Sequence, residues 1–147
     1  MSDKNIIRAY EEALPIALLR TREAVMARFR PLLSEHGLTD QQWRVIRVVQ
    51  GQNEVDATSL AEHCCILMPS LSRMLKSLEK DGVLERTKLN KDRRRQLIKL
   101  TSKGEKIFDS MAPKSEKVYA KIEAEYGTQE IRKLVLSLAD LQKTLEK

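Results

Sequence analysis

The run Ile66-Leu67-Met68-Pro69-Ser70-Leu71-Ser72-Arg73-Met74-Leu75-Lys76-Ser77-Leu78-Glu79-Lys80-Asp81-Gly82 decides how the rest of the chain is organised. Pro69 suits the first turn of a helix, where its missing N–H would have had no partner. Leu71, Met74, Leu75 and Leu78 then recur at three- and four-residue steps on an inner face, leaving Ser70, Ser72, Arg73, Lys76 and Ser77 outside. Asp81-Gly82 ends the helix. Just upstream, Asp56 to Cys65 reads as a short helix, with Asp56, Thr58 and Ser59 as possible caps and Leu60, Ala61 and Cys64 turned inward. Two short helices joined by a tight turn, the second opening with small hydroxyl residues and a cation, have the layout of a helix-turn-helix DNA reader.

Downstream, Val83 to Leu89 and Gln96 to Thr101 are short alternating segments around the polar tip Asn90-Lys91-Asp92-Arg93-Arg94-Arg95, the pattern of a β-hairpin. A hairpin tipped with four cations beside a helix-turn-helix is a winged helix, its tip placed to touch phosphates or enter a minor groove. Upstream, Thr39 and Gln42 form a capping-box pattern that opens a helix running to about Gln50, with Trp43, Val45, Ile46, Val48 and Val49 on its apolar side. A long first helix spans about Arg8 to Glu35, with Leu19, Met26, Phe29 and Leu33 on one face.

Ser102-Lys103-Gly104-Glu105 is a second capping-box pattern and opens a helix carrying Ile107, Met111, Val118 and Ile122, with a bend expected near Pro113. After Gly127, Thr128 is the expected cap of the last helix. Its stripe of Ile131, Leu134, Val135, Leu138, Leu141 and Leu145 is too apolar to face water. A second copy is the simplest cover, because a two-fold dimer matches a two-fold DNA site. The expected fold is therefore mainly α with a small β-hairpin wing: a winged helix-turn-helix over residues 38–102, with N- and C-terminal dimerisation helices over 1–37 and 103–147.

At 147 residues the chain suffices for one domain with helical extensions, and 27 Lys and Arg against 21 Asp and Glu give a net charge of +6, which favours a polyanionic partner. No apolar run approaches the roughly 18–20 residues of a bilayer crossing. The start Met1-Ser2-Asp3-Lys4-Asn5 lacks the layout of a secretory signal, so the cytoplasm is the expected compartment. Five isolated glycines form no phosphate-cradling loop, and two histidines leave little for acid and base chemistry, so neither an enzyme, a cofactor nor a metal is expected. Aromatic residues are only 4%, too few for stacking single-stranded nucleic acid. The two cysteines, Cys64 and Cys65, are adjacent and are expected to be a buried pair of small apolar groups. A redox-sensing regulator acting through Cys64 or Cys65 is the alternative, and a protein-interaction module or small enzyme a more distant one.

This order of elements resembles the MarR family of bacterial transcription regulators along nearly the whole chain. The most specific match is the wing, where Asp92-Arg93-Arg94 and Leu97-Ile98-Lys99-Leu100-Thr101-Ser102-Lys103-Gly104 look like the family's Asp-x-Arg wing and its Leu-Thr-x-x-Gly exit. Residues 22–33, 38–44 and 65–72 look like the homoprotocatechuate-degradation operon regulators within that family, which repress genes for hydroxyphenylacetate breakdown. The resemblance implies a homodimer on a palindromic double-stranded operator that lets go when a small phenolic carboxylate binds.

On this reading Arg73 is the base-edge reader, since its fork grips guanine bidentately, with Ser70 and Ser72 assisting. Lys76, Lys88, Lys91, Arg93 and Arg95 attract phosphates, Arg94 enters the minor groove held by Asp92, and Thr58 and Ser59 complete the DNA-contacting set. The effector set is Arg22, Met26, His36 and Trp43. Arg22 falls in the middle of the apolar arc of the first helix, and a cation there needs an anion, which a carboxylate would supply. His36 is placed to hydrogen-bond a phenol and Trp43 to form an aromatic wall. Equally open are pairing of Arg22 with Glu12 or Asp40 of either chain, a satisfied turn histidine at 36, and Trp43 as core packing.

Overall fold

The computed structural model describes residues 7–88 and 96–147. A 3-10 turn at Tyr10–Glu12 precedes α1 (Leu14–Glu35); α2 (Asp40–Gln52), β1 (Val55–Asp56), α3 (Ala57–Cys64), α4 (Met68–Lys80), β2 (Leu84–Lys88), β3 (Gln96–Leu100), α5 (Ser102–Tyr126) and α6 (Thr128–Leu145) follow. The chain is mainly α with a three-stranded antiparallel sheet in the order β1-β3-β2. The hairpin register sets Leu84 opposite Leu100 and Arg86 opposite Ile98. Val55 pairs with Ile98 from the other side, which makes β3 the central strand.

Helix ends explain most departures from expectation. The long first helix starts at Leu14 rather than Arg8, with Pro15 in its first turn, where the missing N–H has no helical partner to lose. Gly51 lies inside α2, which continues to Gln52. The expected Thr39–Gln42 capping box is present, with Gln42 N–H donating to Thr39 Oγ1 at 3.1 Å and Thr39 N–H to Gln42 Oε1 at 3.0 Å. Asp56 alone caps α3, its carboxylate accepting from Ser59 N–H at 2.8 Å; Thr58 and Ser59 are not caps. Thr101 rather than Ser102 caps α5, and Gly127 rather than Thr128 occupies the cap position of α6. No interruption marks Pro113, since α5 runs unbroken from Ser102 to Tyr126.

The turn of the helix-turn-helix closes in a way the sequence did not suggest. Cys65 takes the left-handed conformation at φ 54°, its N–H donating to Glu62 O while Ile66 N–H reaches back to Ala61 O. This is the Schellman termination usually built on glycine, completed by apolar contact between buried Ile66 and Ala61. Gly82, at φ 74°, plays the same part at the end of α4, where Val83 N–H donates to Leu78 O. The expected buried cysteine pair is therefore corrected: Cys64 is fully buried, but Cys65 is exposed because its left-handed backbone turns it away from the core.

One core gathers Leu32 and Leu33 from α1, Trp43, Val45, Ile46 and Val49 from α2, Leu60 and Cys64 from α3, Leu71, Leu75 and Leu78 from α4, Ile98 from β3 and Met111 from α5. Burial in α1 begins only at Phe29. Leu14, Ile16, Leu18, Leu19 and Val25 are exposed, as are Leu134, Val135, Leu136 and Leu145 of α6, and α6 has no buried residue. No helix among the described residues is long and apolar enough to cross a membrane.

Candidate nucleic-acid interface

Leu71, Leu75 and Leu78 anchor α4 in the core, and this fixes what its other side shows. Ser72, Arg73, Lys76 and Ser77 are exposed and Ser70 is half-buried. Among the described residues neither Arg73 nor Lys76 makes an ion pair, so both cations are free to meet an outside anion. Thr58 is exposed and Ser59 half-buried at the start of α3, on the helix before the turn. Lys88 is exposed at the end of β2. Lys91, Asp92, Arg93, Arg94 and Arg95 lie outside the described residues.

The hairpin is tied to α4 by a residue that the sequence reading overlooked. Arg86, half-buried in β2, sets Nε 3.5 Å from Glu79 Oε1 of α4 and donates from Nη1 to Gln96 Oε1 of β3 at 3.4 Å. Its place opposite buried Ile98 was the available clue, since a long cation there must reach along the sheet to find a partner. At the other end, Thr101 directs its hydroxyl at the Gly82 and Val83 carbonyls and accepts from Gly104 N–H at 3.1 Å. The Leu-Thr-x-x-Gly exit thus joins three elements: buried Leu100 ends the strand, Thr101 caps α5, and Gly104 lets α5 approach the Val83 carbonyl.

The proposed effector residues separate. Arg22 is not buried in its own chain, its side chain being 43% exposed and 3.5 Å from Glu23, because the upper turns of α1 have no neighbour to cover them. Arg30 is the cation that takes Asp40, donating from Nε at 3.2 Å and from Nη2 at 2.9 Å to Oδ2. That pairing holds the Asp40 carboxyl below its ordinary range, against a smaller opposing effect of burial, with Arg22 and Arg44 adding attraction from further away. Glu23 also meets Arg30, at 3.0 Å, so Arg22, Glu23, Arg30 and Asp40 form a run of alternating charge.

Met26 is half-buried against the core. Trp43 is buried and stacked on Phe108 at 5.9 Å, with the Arg47 guanidinium 5.8 Å above the same ring, so its surroundings are those of core packing. His36 caps the C-terminus of α1, its Nδ1 donating to Leu32 O at 3.0 Å and its Nε2 lying 3.5 Å from Lys114 Nζ. Fourteen residues at 1.5 Å rise put Arg22 and His36 about 21 Å apart along the helix, much further than a one-ring acid spans. The two therefore cannot hold the same small ligand within one chain, and His36 has the partners of a satisfied turn histidine.

The cysteines give the redox alternative no support. Burial pushes the Cys64 thiol up from its ordinary value, outweighing the pull of Arg44, and a raised thiol is a poor nucleophile. Cys64 Sγ–H points at Arg44 O, and Arg44 Nη1 donates to Cys64 O at 2.8 Å, an arrangement that fastens α3 to α2.

A reading helix anchored by leucines, an uncommitted cationic face and an antiparallel hairpin clamped beside it define a winged helix-turn-helix DNA-binding fold. The MarR family pattern matches residues 38–95. The HTH-type transcriptional regulator FarR of Neisseria gonorrhoeae is 40% identical over 131 residues, 89% of this chain and 90% of that protein. The homoprotocatechuate degradative operon repressor of Escherichia coli is 38% identical over 84% of this chain and 83% of its own length. A crystal structure of NadR in complex with 4-hydroxyphenylacetate superposes with a TM-score of 0.84 at 37% identity, covering 91% of this chain and 98% of that one. The chain belongs to the MarR family of transcription regulators.

Proposed function

We propose that the protein is a homodimeric repressor of an aromatic-acid catabolic operon, of the hydroxyphenylacetate and homoprotocatechuate type, that binds a palindromic duplex and is released by a small phenolic carboxylate. The observation that carries the reading is the outer face of α4, with exposed Arg73 and Lys76 that make no ion pair among the described residues, in a chain 38% identical to an operon repressor. Residues 1–37 and 103–147 form the dimerisation region. Support comes from the exposed apolar side chains of α1 and α6, an uncovered surface of the kind that marks a protein interface. A two-fold axis then presents two copies of α4 to two half-sites about one DNA turn apart.

Arg73 reads base edges with help from Ser70 and Ser72, and Lys76 and Lys88 meet phosphates. Thr58, Ser59, Lys91, Asp92, Arg93, Arg94 and Arg95 complete the interface, the last five on the strength of the sequence alone. Replacing Arg73 with alanine is expected to reduce discrimination between the selected site and random duplex by about 10- to 100-fold for each half-site, the worth of a bidentate guanine contact, with both half-sites of the dimer affected at once. Gel shifts on the two duplexes check this. An equal loss on both would remove Arg73 as the reader.

The effector is a one-ring phenolic acid, by the likeness to the 4-hydroxyphenylacetate complex of NadR. Arg22 offers the carboxylate site: its contact to Glu23 is a loose 3.5 Å between half-exposed groups, easily exchanged for a ligand anion once a partner chain covers α1. Met26, one turn along on the same helix, supplies apolar contact. Release follows if the acid favours one spacing of the two reading helices over the other. Titrating 4-hydroxyphenylacetate by calorimetry should show about 10-fold or greater weakening for Arg22→Ala, the loss of one charge-assisted pair. Unchanged affinity takes Arg22 out of the site.

A further inference from the structure

Two apolar side chains stand in water at the tip of the reading helix, and the fold gives them nothing to do. Leu67 is 79% exposed and Met68 43% exposed. Every other exposed large hydrophobic among the described residues lies between Ile7 and Val25 or between Tyr119 and Leu145, on the helices whose uncovered faces a second copy accounts for. Among the described residues between 38 and 102, this pair alone is left. Leu67 occupies the N-cap position of α4 without making any side-chain cap, where a hydroxyl or carboxylate residue is the usual choice. The position has forgone a helix cap and displays an isobutyl group instead.

Position along the helix indicates what Met68 meets, with exposed Leu67 next to it at the N-cap. Met68, Ser72 and Lys76 follow one another at four-residue steps and so share a stripe on the outer side of α4. When a helix-turn-helix docks, it is the N-terminal end of the second helix that meets base edges, while more distant cations meet phosphates. The major groove offers one apolar group on those edges, the C5-methyl of thymine. A lipid or protein partner would have to reach an apolar tip that is only two residues wide and flanked by Arg73 and Lys76, whereas a duplex supplies methyls and phosphates together. We propose that Leu67 and Met68 read thymine methyl groups in the major groove and make thymine at symmetry-related positions a requirement of the operator. The inference rests on the DNA-reading role proposed above and adds an apolar element to a polar reading face.

The test uses the full chain and duplexes selected by it from a random pool. Selection is expected to enrich thymine at one or two positions in each half-site. Replacing those thymines by deoxyuridine removes the methyl alone, keeping pairing and O4, and should weaken wild-type binding about 15-fold, the scale of one buried methyl in each of the two half-sites. Leu67→Ala and Met68→Ala should bind thymine and uracil duplexes within about twofold of each other. Both substitutions lie at exposed positions outside the core, so thermal unfolding should be unchanged and any affinity loss belongs to the interface. Selected sites without thymine, equal wild-type affinity for the two duplexes, or variants that keep the wild-type preference for the methyl would each overturn the inference while leaving DNA reading intact. Failure to bind any duplex would overturn both.

Discussion

Gly104→Ala is expected to destabilise the protein by about 1–3 kcal/mol, the usual cost of forcing a methyl into filled space. The direction is informative because in an open helix the same change stabilises by about 1 kcal/mol. A Cβ at 104 would collide with the Val83 carbonyl oxygen and sit 3.3 Å from the Leu100 side chain. Neither can give way easily. Val83 O already accepts from Thr101 N–H at 3.0 Å and from the Thr101 hydroxyl at 3.1 Å, and Leu100 is buried at the end of β3. Relief would have to come from shifting α5 off the strands. Thermal unfolding at fixed protein concentration, compared with wild type, measures the effect; a variant as stable as the parent would show that the close approach carries no strain.

The largest functional effect is expected from salt. On the proposed reading each protomer would contribute Lys88, Lys91, Arg93, Arg94 and Arg95, ten cations in a dimer. If half of them neutralise phosphates, affinity falls with a log–log slope of about −4.5, or about 500-fold between 50 and 200 mM monovalent salt. Arg94→Gln changes two of those contacts at once through the two-fold axis, so its slope should flatten by about 2 if both Arg94 copies are among the phosphate-neutralising half, with selected and random duplexes weakened alike. Binding isotherms at four or more salt concentrations give both numbers. A slope near zero is incompatible with a cationic wing on the phosphate backbone.

The reading helix and the hairpin were legible in the sequence because each is punctuated locally: Pro69 opens α4, Gly82 closes it, and alternation marks β2 and β3. The capping box at Thr39 was equally local. What escaped was set by distance or by backbone geometry. β1 is two residues long and exists only through pairing with β3, about forty residues away. Cys65 was hidden by its type, since nothing in a cysteine announces a left-handed turn. The exposure of Arg22 escaped for a different reason. Periodicity correctly groups it with Leu19 and Met26, but says nothing about whether a neighbour exists to cover that face, and in its own chain none does. The cation with a half-buried carboxylate is Arg30, eight residues along the same helix, where α2 has come within reach. His36 is separated from Arg22 by the length of α1, which sequence periodicity alone does not weigh.

From Leu14 to Val25 no side chain of α1 is buried, although the segment is helical throughout. These turns extend from the packed half of the same helix and gain little from burial in their own chain, so in the proposed dimer a second copy would supply the missing packing. If the dimer and effector proposed above hold, shape and abundance are linked by mass action: a scarce regulator would lack the packing on its upper turns and the seat for its ligand, while an abundant one would have both. On that reading the copy number in the cell would itself be an input to the switch, alongside the proposed phenolic acid.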